Sequence, residues 1–220
     1  MFDGAPPRNP AATVHVIDDD SNFRLAVVSL LESFEMQAKV FRGAEEFLEG
    51  ADLSHPGCIL LDVTMPGMSG LELQDKLARL GNPLPIIFMT GNASVAVSVS
   101  AMKAGAFDFL LKPFKQECLL DVTSRAITLN AQLCVQNALA KQKRACVDSL
   151  TPREEQVFSF VSRGLLNKQI AHELNISEIM VKLHRGRMMR KLKARSVVDV
   201  VRMFDEIYAT GRGHERRHVG

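Results

Sequence analysis

At 220 residues, 46% apolar and 24% charged, the chain has room for one large or two modest domains, each able to bury a core. No apolar stretch approaches a membrane span, and residues 1–12 hold three prolines and no apolar h-region, so no secretory signal is expected there and the cytoplasm is the expected compartment. The net charge of +2 conceals a division: residues 1–140 carry 10 Lys+Arg against 16 Asp+Glu, net −6, and residues 141–220 carry 17 against 9, net +8. An acidic first part and a basic second part predict two jobs, with a polyanion as partner of the second.

In chain order, residues 1–12 read as a flexible N-terminus. Strands are predicted at Thr13–Ile17, Gln37–Phe41, Gly57–Leu61, Pro85–Met89 and Asp108–Leu111. Asn22–Phe34, Glu45–Glu49, Gly70–Leu80 and Ser94–Ala104 carry helical periodicity between them, with Phe23, Val27, Leu30, Leu31 and Phe34 marking one apolar face of the first helix. The runs His15–Ile17, Cys58–Leu61, Ile86–Met89 and Phe109–Leu111 are short and end in a polar residue or at Lys112-Pro113, so they read as strands buried on both faces. Five strands alternating with helices predict an α/β fold, a five-stranded doubly wound parallel sheet over residues 13–120, with helices on both faces. Residues 114–145 lack Gly and Pro yet keep an apolar presence, so the last helix of this domain is expected to continue as a semi-rigid linker helix over 121–147.

Strands of a parallel sheet point the same way, so residues just past their ends gather at one edge, where open α/β sheets bind ligands. That edge collects Asp18, Asp19, Asp20, Asp62, Thr90 and Lys112. Asp20 reads as the N-cap of the first helix. Asp18 or Asp19 together with Asp62 suits Mg²⁺, or another divalent cation, which takes oxygen ligands. Asp62, the lone acid after a central strand, is the candidate phosphoryl acceptor; Lys112 would share in neutralising the incoming charge, and Thr90 could hydrogen-bond a phosphoryl oxygen. The four cysteines lie far apart without a C-x-x-C pair, and Cys58 reads as a small hydrophobe in a buried strand. His214 and His218 have a metal-ligand spacing but fall in a tail, 209–220, expected to be disordered.

After Asp148 the pattern is helical only. Thr151-Pro152-Arg153-Glu154 reads as a helix start, Gly164 as its stop, Asn167–Leu174 as a short second helix, Ser177 as the cap of a third to about Leu192, and Ser196 as the cap of a fourth to about Tyr208. Helix, tight turn, helix is the helix-turn-helix arrangement, here in an all-α four-helix domain over 148–208. From Lys182 to Arg195 there are seven basic residues and no acid, which favours DNA over an acidic protein surface. The start of the third helix would enter the major groove, making Glu178, Ile179, Val181, Lys182 and Arg185 candidates for base edges; Lys168, Arg187, Arg190 and Lys191 suit phosphates.

Residues 13–130 resemble a response-regulator receiver domain of the CheY/flavodoxin-like fold, through Val16-Ile17-Asp18-Asp19, the run Leu61-Asp62-Val63-Thr64-Met65-Pro66-Gly67 to Gly70, Met89-Thr90-Gly91 and Leu111-Lys112-Pro113-Phe114. The resemblance implies a sensor histidine kinase that phosphorylates Asp62. It also implies direct Mg²⁺ ligation by Asp19, Asp62 and the carbonyl of Thr64, with Asp18 acting through water. Thr90 would be the switch hydroxyl, Lys112 the phosphate-pairing lysine, and Phe109 the switch aromatic, without the hydroxyl of the Tyr that many members carry.

Residues 149–208 are similar to the LuxR-type helix-turn-helix, through Leu150-Thr151-Pro152-Arg153-Glu154, Asn167-Lys168-Gln169-Ile170-Ala171, Leu174-Asn175-Ile176-Ser177, Val181-Lys182-Leu183-His184-Arg185 and Lys191-Leu192. Met180 stands where members often carry Thr and is left out of the expected contacts. A receiver joined to this module resembles the FixJ/NarL class, and within it the FixJ-like StyR/TodT branch of aromatic-catabolism regulators. The implied protein is a two-component transcription factor, an activator that dimerises on phosphorylation, binds promoter DNA and engages RNA polymerase, with no membrane association. Two rivals bear on the reading: an aspartate-nucleophile phosphatase, which needs a second acid two residues after Asp62 where Thr64 stands, and an RNA- or protein-binding regulator without phosphorylation.

Overall fold

The computed structural model describes residues 12–53, 55–91 and 95–209, so the expectations for the N-terminus, for His214 and His218 and for the tail beyond 209 lie outside it. The chain divides into two compact units, the first ending at Val135 and the second beginning at Gln136.

In the first unit, β1 (Thr13–Ile17), β2 (Gln37–Phe41), β3 (Gly57–Asp62), β4 (Ile86–Thr90) and β5 (Asp108–Leu111) form one parallel sheet in the order β2-β1-β3-β4-β5. The intervening helices are α1 (Ser21–Ser33), α2 (Ala44–Gly50), α3 (Gly70–Arg79) and α4 (Val95–Lys103). The long helix α5 (Gln116–Asp148) follows β5. Alternate residues of the strands feed two cores, as the two-residue period demands. Ile17, Ile59, Leu61 and Phe88 pack with α2, α3 and α4 on one face, and Val14, Val16, Leu60, Ile87 and Met89 with α1 and α5 on the other.

Burial on both faces holds for β1, β3 and β4 and fails for β5, where Leu111 is exposed and the rest is half-buried. Beta5 is the last strand in the sheet order, so one side lacks a neighbour. Phe34 likewise departs from the expected apolar face of α1: it caps the helix and is 56% exposed. The boundary expected at residue 120 falls too early. Val122 and Ala126 are buried in the core of the first unit, and the buried Asn130 accepts from Gly57 N at 3.0 Å and donates to Pro83 O at 2.6 Å.

One core residue carries a pH signature. His15 is fully buried against the rings of Phe41 and Phe47 (centroids at 5.9 and 5.6 Å), which also pack on each other, and neither ring nitrogen has a hydrogen-bond partner. Burial, aided by Lys39 and opposed by Asp52, lowers its pKa from 6.5 to about 4. A pKa depressed in the folded state leaves stability intact above 6.5 and removes it as the pH falls towards 4. We expect this one group to cost about 2 kcal/mol by pH 5. Thermal unfolding of the full chain from pH 7 to 5 should therefore show a shallower loss in His15→Leu than in the wild type; parallel curves would show that His15 does not titrate in this window.

In the second unit, α6 (Pro152–Ser162), α7 (Asn167–Leu174), α8 (Glu178–Lys191) and α9 (Val197–Ala209) pack around Val157, Phe158, Val161, Ile170, Val181, Met188, Leu192 and Val200. Thr151 and Glu154 close a capping box: Glu154 N donates to Thr151 Oγ1 at 3.3 Å and Thr151 N to Glu154 Oε2 at 2.9 Å. Gly164, at φ +81°, lets the chain turn out of α6 through a left-handed position that a Cβ would strain. Asn175, also left-handed at φ 51°, ends α7, and Ser177 Oγ starts α8 by accepting from Met180 N at 3.3 Å. These caps set the tight turn between α7 and α8.

Candidate phosphoryl site and nucleic-acid interface

The register of the sheet builds the first site. Ile17 of β1 pairs with Leu61 of β3, so Asp18 and Asp62 emerge side by side where the chain reverses its direction of winding. Asp62 pairs with Met89 of β4, and Thr90 with Leu111 of β5, which brings Thr90 and Lys112 to the same edge. Lys112 N donates to Thr90 O at 2.7 Å, and the Lys112–Pro113 peptide is cis.

The Lys112 ammonium bridges the two carboxylates, 2.5 Å from Asp18 Oδ2 and 3.0 Å from Asp62 Oδ2. Asp62 Oδ1 accepts from Thr64 N at 3.3 Å, and Asp18 Oδ1 from Asp20 N at 3.0 Å. Arg24 Nη1 donates to the Asp18 carbonyl. Asp18 is fully buried, and that burial pushes its carboxyl above the ordinary range, against the hydrogen bonds from Lys112 and the Asp20 N–H. Asp19 is exposed beside them, and one carboxylate oxygen from each of Asp18, Asp19 and Asp62 lies within 4.8 Å of the others. An all-oxygen set of three acids fits a hard divalent cation. Asp20 accepts from Asn22 N and Phe23 N at 2.9 and 3.2 Å, the N-cap of α1. Thr90 is 2% exposed, and Phe109 packs on Phe88 with ring centroids at 6.2 Å.

Glycine 70 makes this geometry possible. At the start of α3 it lies so close to β3 that a Cβ there would sit 2.1 Å from the Asp62 carbonyl oxygen. Ser69 and Glu72 fix the helix start through a reciprocal capping box, and their hydrogen bonds hold the Glu72 carboxyl below its usual range.

In the second unit the structure sorts the expected DNA contacts. Glu178, Ile179, Lys182, Arg187 and Arg190 are exposed on α8, and Lys168 is exposed on α7. Val181 is not available to a base edge: it is fully buried in the helical core, one of the contacts that anchor α8. Lys191 is also withdrawn from the phosphate set. Its ammonium reaches Glu154 Oε2 at 2.6 Å and Ser149 O at 2.9 Å, and this bond is the first cause that lowers the carboxyl pKa of the buried Glu154. Arg185 is half-buried and donates to Asn167 Oδ1 at 2.9 Å, so it ties α8 to α7. Leu183 is 44% exposed one turn beyond Ile179, which is 77% exposed.

Each of the two units matches a known family. Residues 14–124 match the response regulator receiver domain, and residues 148–204 match the bacterial regulatory proteins of the luxR family. The chain belongs to the two-component response regulators that join a receiver to a LuxR-type DNA-binding domain, the FixJ/NarL class. It is 42% identical to response regulator protein TmoT of Ectopseudomonas mendocina over 89% of each chain. It is 42% identical to TodT of Pseudomonas putida over 90% of this chain and 87% of that one. The solved structure of the response regulator StyR superposes with a TM-score of 0.84 at 41% identity, covering 89% of this chain and 99% of that one. Within the class, the chain thus lies near the TodT/StyR branch. It is a DNA-binding transcription regulator rather than a classical enzyme, and that class implies a sensor kinase and DNA as partners. No helix among the described residues is long and apolar enough to cross a membrane.

Proposed function

We propose that Asp62 accepts a phosphoryl group from a sensor histidine kinase and that this acyl phosphate switches the chain into a DNA-binding homodimer. The observation that carries the reading is the Lys112 ammonium held between Asp18 and Asp62 at the reversal point of the sheet. A carboxylate oxygen of Asp62 attacks phosphorus, the donor's N–P bond breaks and an O–P bond forms. Lys112 moves from the carboxylates to a phosphoryl oxygen, and Thr90 supplies a hydroxyl to another. Asp19 and Asp62, with the Thr64 carbonyl, would hold Mg²⁺, and Asp18 would act through water. The cation, when bound, supplies positive charge against the transferring phosphoryl. Thr64 leaves the position two after Asp62 without the acid that a phosphatase cycle needs.

Thr90 drawn to the phosphoryl group repositions Phe109 and alters the surface of α4, β5 and α5, which favours the dimer. Two α8 helices then reach two half-sites, and the second binding event gains effective concentration. In the cytoplasm the DNA-bound dimer would engage RNA polymerase as an activator; the branch resemblance implies aromatic-catabolism genes as targets. Lys182, Glu178 and Ile179 would read base edges, with Arg185 held by Asn167 to support them; Lys168, Arg187 and Arg190 would bind phosphates.

Affinity for a duplex selected from a random-sequence pool tests the DNA assignment. Lys182→Ala should weaken the selected site by about 1–3 kcal/mol while barely changing random DNA, and Arg187→Ala should weaken both and reduce the salt slope by about 1. Equal affinity of Lys182→Ala and wild type for the selected site removes Lys182 from the reading surface.

A further inference from the structure

A third group holds the Lys112 ammonium, and it is neither a carboxylate nor a backbone atom. The nitrogen lies 3.9 Å from the centroid of the Phe23 ring, over its face. Phe23 is itself packed against Phe114 in a T-shaped pair, with ring centroids at 5.8 Å and planes at 80°. Phe114 follows Lys112 by two residues, so the segment that delivers the lysine also sets the ring beneath it. The Lys112 side chain is only 16% exposed, which makes the attraction between cation and ring quadrupole stronger than at an open surface.

We propose that Phe23 is a positioning residue for Lys112 in phosphoryl transfer to Asp62, an inference that rests on the reading of Asp62 as acceptor. A hydrogen-bonding group in this place would lock the ammonium to one direction. The ring face attracts it without a directional bond. The ammonium can therefore swing from Asp18 and Asp62 to an arriving phosphoryl oxygen while staying at the site. Phe23 holds and guides the cation, and acts on the transfer through Lys112.

The test replaces the ring and then only its electrons. Phe23→Leu keeps an apolar side chain without a π face. Phe23→Tyr keeps the face, and incorporation of ring-fluorinated phenylalanines at 23 weakens the quadrupole at nearly constant size. The rate of phosphorylation of the full chain by a small phosphodonor with Mg²⁺ is followed by intact mass, with thermal unfolding as the control for folding. We expect the rate to fall about 3- to 10-fold in Phe23→Leu, to stay within about twofold in Phe23→Tyr, and to decline stepwise with fluorine number. A wild-type rate in Phe23→Leu, or a rate unmoved by full fluorination, overturns the proposal.

A second readout needs no phosphodonor. The Lys112 ammonium protons, lying over a ring face, should show ring-current shielding in nitrogen-detected NMR that disappears in Phe23→Leu. Shielding that persists in Phe23→Leu overturns the placement. A wild-type chain with shielded protons that takes no phosphoryl mass overturns the Asp62 reading instead, so the two failures are told apart.

Discussion

Asp62→Asn is expected to take up no phosphoryl group from a small phosphodonor and Mg²⁺, where the wild type gains one. The amide nitrogen and oxygen are poor nucleophiles, and the substitution removes one of the two negative charges that hold Lys112 between Asp18 and Asp62. The fold should survive, because Asp62 Oδ1 accepts the Thr64 N–H and the Asn amide oxygen can do the same. Intact mass before and after treatment, with peptide mapping of the modified residue, is the measurement. Full-yield phosphorylation of Asp62→Asn would assign the acceptor to another residue.

Gly70→Ala is expected to be the most damaging conservative change near this site. A methyl group 2.1 Å from the Asp62 carbonyl oxygen, and 3.1 Å from Asp62 C and Val63 Cα, meets backbone rather than a side chain that could move aside. The clash can be relieved only by moving β3 or α3, and overpacking of this kind costs about 1–3 kcal/mol. Moving β3 also carries Asp62 away from Lys112, so the phosphorylation rate should drop by at least about tenfold, since displacing a reacting group by about 1 Å is costly. Thermal unfolding and phosphorylation rate are measured together on the full chain. Wild-type values for both would mean that the close approach of α3 to β3 does not position Asp62.

Much of this architecture was legible in the chain. The apolar runs at β1, β3 and β4 give their strands directly, and the capping signals at Asp20, Thr151 and Ser177 place helix starts to within a residue. Strands of one parallel sheet end at one edge, which is why the sequence alone gathers Asp18, Asp62, Thr90 and Lys112 there. What the chain does not spell out is the outcome of long-range pairing. Leu111 reads as apolar and buried, yet it lies on an edge strand. Lys191 belongs to a basic helix, yet Glu154, distant in sequence, claims its ammonium. Val181 sits among candidate readers, yet helical phase turns it inward by the same rotation that exposes Lys182. Phe23 has the spacing of a core residue, and nothing in that spacing says that its ring faces a lysine nearly ninety positions later.

The central claim is that the phosphoryl group on Asp62 controls the DNA-binding unit. The most direct test measures the affinity of the full chain for a selected DNA duplex with and without phosphorylation, following oligomeric state in the same samples. The account predicts one phosphoryl group per chain, a shift from monomer to dimer and about tenfold or greater tightening on DNA, all absent in Asp62→Asn. Stoichiometric phosphorylation with unchanged oligomeric state and unchanged DNA affinity would contradict it.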